Sequence, residues 1–241
     1  MAGGSSASAT TLMAVDLRSF TPARVALGRT GHSMPTAELL RFQLDHARAR
    51  DAVHRSLDPA SLGLTHVLVH SAAKDRETYL RRPDLGRKLD DESRASLQKG
   101  DYDAALIIAD GLSAAAIHHH AAPFLDSLLP FLNEWKLAPL TIALQARVAL
   151  GDEIGALLGA RQVVVLIGER PGLTSADSMG IYLTWDPRPG RTDAERNCIS
   201  NVRAEGIAYA LAARKLHFLM QEARSLKLSG VQLKEDSKRI L

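Results

Sequence analysis

The residues best equipped for chemistry in this chain sit in short polar loops placed directly behind apolar runs. Asp110-Gly111-Leu112-Ser113 follows Ala104–Ala109. Gly151-Asp152-Glu153 follows Leu140–Val148. Gly168-Glu169-Arg170-Pro171-Gly172 follows Gln162–Ile167. Glycine lets a backbone approach another group closely, and the amides that open a helix can meet a phosphate or an amide oxygen. Glu169 and Arg170 read either as a surface ion pair or as a polar clamp on a ligand. Glycine behind a strand is also ordinary turn chemistry, so the loops indicate where a ligand would lie without naming it.

Other constellations point away from particular chemistries. No Gly-x-Gly-x-x-Gly, Walker-type Gly-Lys-Ser/Thr or Gly-x-Ser-x-Gly stands behind a strand candidate, which removes local support for dinucleotides, nucleoside triphosphates or an elbow nucleophile. His118-His119-His120 invites a metal reading, but consecutive helical residues point about 100° apart. Three in a row cannot all face one ion, so a partly exposed helix face is the preferred reading and no metal ligand is assigned. His32, His46, His54, His66, His70 and His217 are scattered without ligand spacing. Cys198, the single cysteine, has no His and Asp at a spacing that suggests a nucleophile, and reads as a small buried or near-interface residue. No catalytic residue is assigned.

The elements that must position these loops follow from the apolar pattern. Residues 1–30 show little periodicity and read as a flexible tail. From 31 to 99 the chain reads as a mainly helical domain: Ala37–Val53 places Leu40, Leu44 and Ala47 on one face, and helical pieces follow around Ser71–Leu80 and Asp90–Leu97. Leu62–His70 reads equally as a short strand or a helix end. From 100 to 241, strands at Ala104–Ala109, Leu140–Val148, Gln162–Ile167 and Ile181–Trp185 alternate with helices at Ser113–Leu132, Glu153–Leu158 and Gly206–Leu226. Asp193–Cys198 reads as a polar loop. The alternation implies an α/β domain with a parallel sheet covered on both faces, and in such sheets ligands bind outside the carboxyl ends of the strands.

Composition narrows the partners. The chain has 241 residues, 46% hydrophobic and 24% charged, with a formal net charge of +3. Acidic and basic residues interleave, as in Lys74-Asp75-Arg76-Glu77, so there is no basic stripe for nucleic acid, and aromatics are too few for a stacking platform. One cysteine excludes an intramolecular disulfide and suits a reducing compartment. No apolar run is long enough to cross a bilayer, and Met1–Thr11 lacks the features of a secretory signal. A cytoplasmic protein is expected.

Several blocks, taken in order, resemble one family. They are Arg29-Thr30-Gly31-His32-Ser33, Arg41-Phe42-Gln43-Leu44-Asp45-His46-Ala47, Ser71-Ala72-Ala73-Lys74-Asp75-Arg76 and Tyr79 to Arg87. They continue with Asp110 to Ser113, Ala146 to Glu153, Gly168 to Leu173, Ser175 to Met179, and Arg196 to Asn201. In this order they resemble the small subunit of ethanolamine ammonia-lyase, over residues 25–235. The resemblance implies a helical N-terminal part followed by a Rossmann-like, cobalamin-binding-type parallel sheet domain. It also implies a large subunit that carries the ethanolamine site, and adenosylcobalamin held between the two subunits. The assembled enzyme would convert ethanolamine to acetaldehyde and ammonia by a radical route, and this chain would be active only with the large subunit.

Carried over position by position, the cofactor contacts implied by the resemblance fall on Val148, Glu169 and Cys198. Val148 would give a backbone or packing contact, Glu169 would accept hydrogen bonds from the corrin side-chain amides, and Cys198 would line the pocket. The Asp-x-His-x-x-Gly signature of histidine-ligated cobalt is absent, which suits a cofactor that keeps its own base on the metal. The tail is short for a family whose members can be packaged in a bacterial microcompartment. Two other readings stand beside this one: a stand-alone cobalamin carrier or sensor, and a non-catalytic structural α/β partner.

Overall fold

A computed structural model describes Phe20, Thr21, Arg24, Val25, Leu27, Gly28 and residues 31–234. Most of the tail read over residues 1–30 lies outside them, as do Arg29 and Thr30 of the first matched block. The long helix α1, Thr36–His54, follows Pro35 and carries Glu38 in its first turn, where a carboxylate complements the exposed amides. It buries only Ala52. Leu40 and Leu44, which helical spacing places on one face, remain 59% and 51% exposed.

Strand β1, Val67–His70, resolves the ambiguous 62–70 stretch in favour of a strand. Two short helices follow, α2 at Arg76–Arg81 and α3 at Asp91–Ser96. Each is started by an aspartate: Asp75 accepts from the Thr78 amide and Asp90 from the Ser93 amide. Those caps explain why the first of them starts later than the Ser71–Leu80 stretch suggested. Then come β2 (Tyr102–Ala109), α4 (Ala114–Leu128), β3 (Thr141–Leu144), α5 (Leu150–Leu158), β4 (Ala160–Gly168), β5 (Met179–Trp185), β6 (Arg196–Val202) and α6 (Tyr209–Leu226).

The strands form one sheet in the order β1-β3-β2-β4-β5-β6. Because β1 pairs with β3, the sheet draws strands from both sides of residue 100. The expected α/β alternation is present, but the sheet is mixed rather than parallel. β1, β3, β2 and β4 are parallel, whereas β5 runs antiparallel to β4, and β6 to β5. A parallel return needs a crossover of about a dozen residues or more, usually a helix. Loop 169–178 contains no helix, so β5 returns antiparallel.

Strand β6 also corrects the polar loop expected over Asp193–Cys198: a 3-10 turn at Asp193–Glu195 leads straight into it. Its polar residues are each used. Arg196 pairs with Asp152 in the interior, and the Asn197 amide donates to the carbonyls of Gly230 and Leu233. A strand with these residues carries no apolar alternation, so hydropathy alone reads it as loop.

Alternate residues face opposite sides, as strand geometry requires. Leu106, Ile108, Val164, Leu166, Ile181 and Leu183 pack with α4 and α6 on one face. Ala105, Ile107, Val163, Val165 and Ile167 pack with α5 on the other. At the end of β4 the two central loops cross almost without clearance. A Cβ on Gly168 would come within 2.0 Å of the Ser113 carbonyl, and one on Gly111, whose φ is +57°, within 2.3 Å of the Gly168 carbonyl. Gly168→Ala is therefore expected to lower the midpoint of urea unfolding, with a loss of stability greater than the roughly 1 kcal/mol of a typical substitution. An unchanged midpoint would show that the crossing can relax.

Candidate functional site

The carboxyl ends of β1, β3, β2 and β4 lie along one edge of the sheet, and a buried polar network sets the loops there. Asp110, just past β2, accepts the amides of Gln145 and Ala146 at 2.9 and 3.0 Å and so holds the chain as it leaves β3. Arg76 of α2 approaches the same carboxylate at 3.5 Å. Arg76 also donates to the Gly111 and Val53 carbonyls at 2.8 and 2.6 Å. Burial pushes the Asp110 carboxyl up, with the Ala146 amide and Arg76 acting against it. Burial likewise lowers Arg76. Tyr79 donates to the Ala146 carbonyl and is flanked by the guanidinium groups of Arg147 and Arg76, 4.2 and 4.7 Å from its ring centre. This network makes the loops rigid and is itself turned inward.

The residues singled out from the sequence lie further along the sheet. Glu169 follows β4 directly and is half-buried. Its carboxylate accepts Ser178 Oγ and Ser200 Oγ, each at 2.6 Å, and the Asn201 amide at 3.3 Å. A carboxylate offers about four lone-pair positions. The two short hydroxyl bonds fix its orientation, and acceptor capacity remains for another donor. Cys198 sits on β6, exposed, and opposite Tyr182 of β5. The structure brings Glu169 and Cys198 together: the protein around the thiol pushes it up, the Tyr182 hydroxyl partly offsets this, and the negative charge of Glu169 adds to it.

Val148 does not end a strand, as its apolar run suggested. β3 stops at Leu144, and Val148 lies in the turn that leads into α5. It is half-buried and packs on the same face of the sheet as Tyr182. Cys198, as the register partner of Tyr182, is on that face too. Helix α5 packs on β2 and β4, and the cluster beneath it extends only as far as Tyr182. Val148 therefore lies on the same face of the sheet as Cys198, while Glu169 and Cys198 border the stretch next to α5 where Cys198 and Ser200 are exposed.

Tyr182 and Ser200 belong to this group and were not singled out from the sequence. Burial raises the Tyr182 phenol, and the neighbouring thiol and Glu169 add to the effect, so it is a neutral hydrogen-bonding group. The signal for it was present as period-two alternation: once β5 and β6 pair, the residue opposite Cys198 is determined. Two residues before Cys198 on the same strand, Arg196 forms a buried ion pair with Asp152, which ties β6 to α5.

The raised thiol makes one expectation specific. At pH 7 less of Cys198 is thiolate in the folded chain than in the unfolded one, so iodoacetamide should alkylate it more slowly in buffer than in urea. The gap should close as pH climbs past both pKa values, the unfolded one being about 8.5. Equal rates at pH 7 would contradict this environment.

A separate cavity of about 800 Å³ opens between α1 and loop 169–178, lined among others by Arg41, Arg48, Asp45, His119 and Asp177. It does not include Val148, Glu169 or Cys198. Its charges of both signs leave it without the character of an anion site.

Comparison with known proteins is consistent over nearly the whole chain. The family model described as Ethanolamine ammonia-lyase light chain (EutC) matches residues 13–234. The ethanolamine ammonia-lyase small subunit of Xanthomonas campestris pv. campestris is 56% identical over 240 residues, covering 93% of this chain and 88% of its own. That of Azotobacter vinelandii is 56% identical over 236 residues, covering 92% and 87%. The Ralstonia nicotianae small subunit is 54% identical over 234 residues, covering 91% and 87%.

Proposed function

The chain belongs to the ethanolamine ammonia-lyase light-chain family, and from that premise we propose that it holds adenosylcobalamin against the large subunit while ethanolamine is converted to acetaldehyde and ammonia. The observation that carries the reading is that Glu169 and Cys198, from a loop and a strand separate in the chain, meet at one outward-facing stretch of sheet, with Val148 on the same face. A corrin is broad and rimmed with amides, and this surface suits such a group. Half-buried Val148 and Tyr182 offer apolar contact, while Glu169, already oriented by Ser178 and Ser200, offers a fixed acceptor to an amide N–H.

When bound, adenosylcobalamin supplies the radical initiation that no side chain can provide. The work left to this chain is positional. Asp110 and Arg76 hold the loops, Glu169 fixes the orientation of the corrin rim, and Val148 and Tyr182 exclude water beneath it. Substrate contacts belong to the large subunit. The face is open on one side, and α1 leaves Leu40 and Leu44 exposed. Apolar surface of this kind marks association and favours a site completed by a partner over a self-sufficient carrier. No helix among the described residues is long and apolar enough to cross a membrane. A cytoplasmic setting accords with the single cysteine.

The single cysteine also supplies the test. In the complex of both subunits, added adenosylcobalamin should protect Cys198 from alkylation, read by mass spectrometry of this chain. Labelling that is the same with and without cofactor would place the cofactor elsewhere.

A further inference from the structure

The three consecutive histidines of α4 do not act as one exposed face. His118 turns toward residues 58–61: its Nδ1 lies 3.0 Å from Ser61 Oγ, and its Nε2 accepts the Asp58 amide at 3.4 Å. His119 and His120 instead meet at Asp177, in the loop between β4 and β5. His119 Nδ1 is 3.3 Å, and His120 Nε2 3.8 Å, from the same oxygen, Asp177 Oδ2. One ligand atom from each of the three residues lies within 4.8 Å of the other two. Neighbouring helical residues diverge by about 100°, which excludes three histidines around one ion. It does not exclude two with a third group entering between them from another loop.

His120 supplies the second observation. Its side chain is only 7% exposed. Its Nδ1 stands 2.8 Å from the Tyr209 hydroxyl, while its Nε2 is buried without a hydrogen-bond partner. If Nδ1–H donates to Tyr209, Nε2 turns a lone pair toward a carboxylate, an arrangement that repels unless a cation stands between them. If Tyr209 donates instead, the Nε2–H points at an oxygen too distant to bond it. An imidazole with one nitrogen hydrogen-bonded and the other free toward a carboxylate is the arrangement of a metal-ligating histidine with its outer-shell partner.

We propose that His119, His120 and Asp177 bind one divalent late first-row transition ion of the zinc class. Two imidazoles and one carboxylate suit Zn²⁺ and are a poor set for Mg²⁺ or Ca²⁺, which prefer all-oxygen shells. His119 and Asp177 line the cavity beside α1, which gives the ion a way in and leaves a fourth position open to water or to a ligand donor. The ion would join α4 to loop 169–178. That loop is already tied by Ser113, which donates to the Ala176 carbonyl at 2.9 Å, and by Ser178, next to Asp177, which donates to Glu169 at 2.6 Å. Metal binding itself does not depend on the cofactor role proposed for Glu169.

The test uses the full chain, free of cobalamin and stripped with a chelator, titrated with Co²⁺ by visible absorption and with Zn²⁺ by competition. One equivalent should bind with the intense absorption of a low-coordinate Co²⁺ site. His119→Ala and Asp177→Asn should each weaken binding by at least about tenfold, and Tyr209→Phe, which acts only through His120, by about tenfold. His118→Ala should leave binding unchanged. His120→Ala removes a buried ring and can perturb folding, so the decisive variants are His119→Ala and Asp177→Asn, at partly exposed positions, with far-ultraviolet circular dichroism confirming their fold. Failure of the folded chain to bind one equivalent would overturn the assignment, as would binding unchanged in both of those variants.

Discussion

Glu169→Ala is expected to weaken adenosylcobalamin binding by the two-subunit complex by about 10- to 100-fold. A hydrogen bond to a charged group contributes about 1.5–3 kcal/mol, and about 1.4 kcal/mol is a factor of ten. Glu169 is held by Ser178 and Ser200 at 2.6 Å each, so its carboxylate is oriented before any ligand arrives, and little of that contribution is spent on ordering the side chain. Glu169→Gln keeps the shape but turns one acceptor into a donor, and should fall between wild type and alanine. Equilibrium dialysis against adenosylcobalamin reads both. Affinity within about twofold of wild type for the alanine variant, at an effect size below about 0.4 kcal/mol, would remove Glu169 from the cofactor face.

The second large effect is on folding. Asp110→Ala should destabilise the chain by about 3–5 kcal/mol, the range for removing one partner of a buried charge pair. Asp110 is 1% exposed, and three groups depend on it: the amides of Gln145 and Ala146 and the Arg76 guanidinium. The substitution would leave two buried amides without that acceptor and a buried cation without its carboxylate partner. Urea unfolding of the variant measures the change, and a loss below about 1 kcal/mol, the ordinary size for a substitution, would mean that water takes over the role of the carboxylate. Since the Asp110 network holds the loops behind β2 and β3, weaker cofactor binding should accompany the loss of stability.

What could be read from the sequence divides along physical lines. Buried strands declared themselves as unbroken apolar runs: Ala104–Ala109 and Gln162–Ile167 lie inside β2 and β4, which start two residues earlier and end at most one residue later. The two central loops after them, 110–113 and 168–172, lie where glycine and a polar residue follow such a run. The direction of β5 was not legible, because strand sequences look alike in either direction, and only the absence of a crossover helix decides it. β6 was hidden because Arg196 and Asn197, polar residues in a partly buried strand, are held in part by groups distant in the chain: Asp152 and the Gly230 and Leu233 carbonyls. Such partners, 30 or more residues away, are invisible to a local pattern.

The same limit shaped the reading of the site. Val148, Glu169 and Cys198 came from motif resemblance rather than periodicity, and the fold sets them on one side of the sheet. Tyr182 was missed because it becomes meaningful only when β5 and β6 pair. The histidine run was read as a plain helix face because helical spacing says nothing of Asp177, which lies 57 residues beyond His120 in the chain and enters from the β4–β5 loop. Likewise, helix α1 has the residues expected of an amphipathic helix, but its Leu40 and Leu44 find no core within this chain.

The most direct measurement is acetaldehyde formed from ethanolamine by this chain, the large subunit from the same source and adenosylcobalamin, with each component omitted in turn. The account predicts acetaldehyde only when all three are present with ethanolamine, and little or none with either protein alone. Full activity of the large subunit and cofactor without this chain would contradict it, as would no activity from the complete mixture when the large subunit is folded and the cofactor intact.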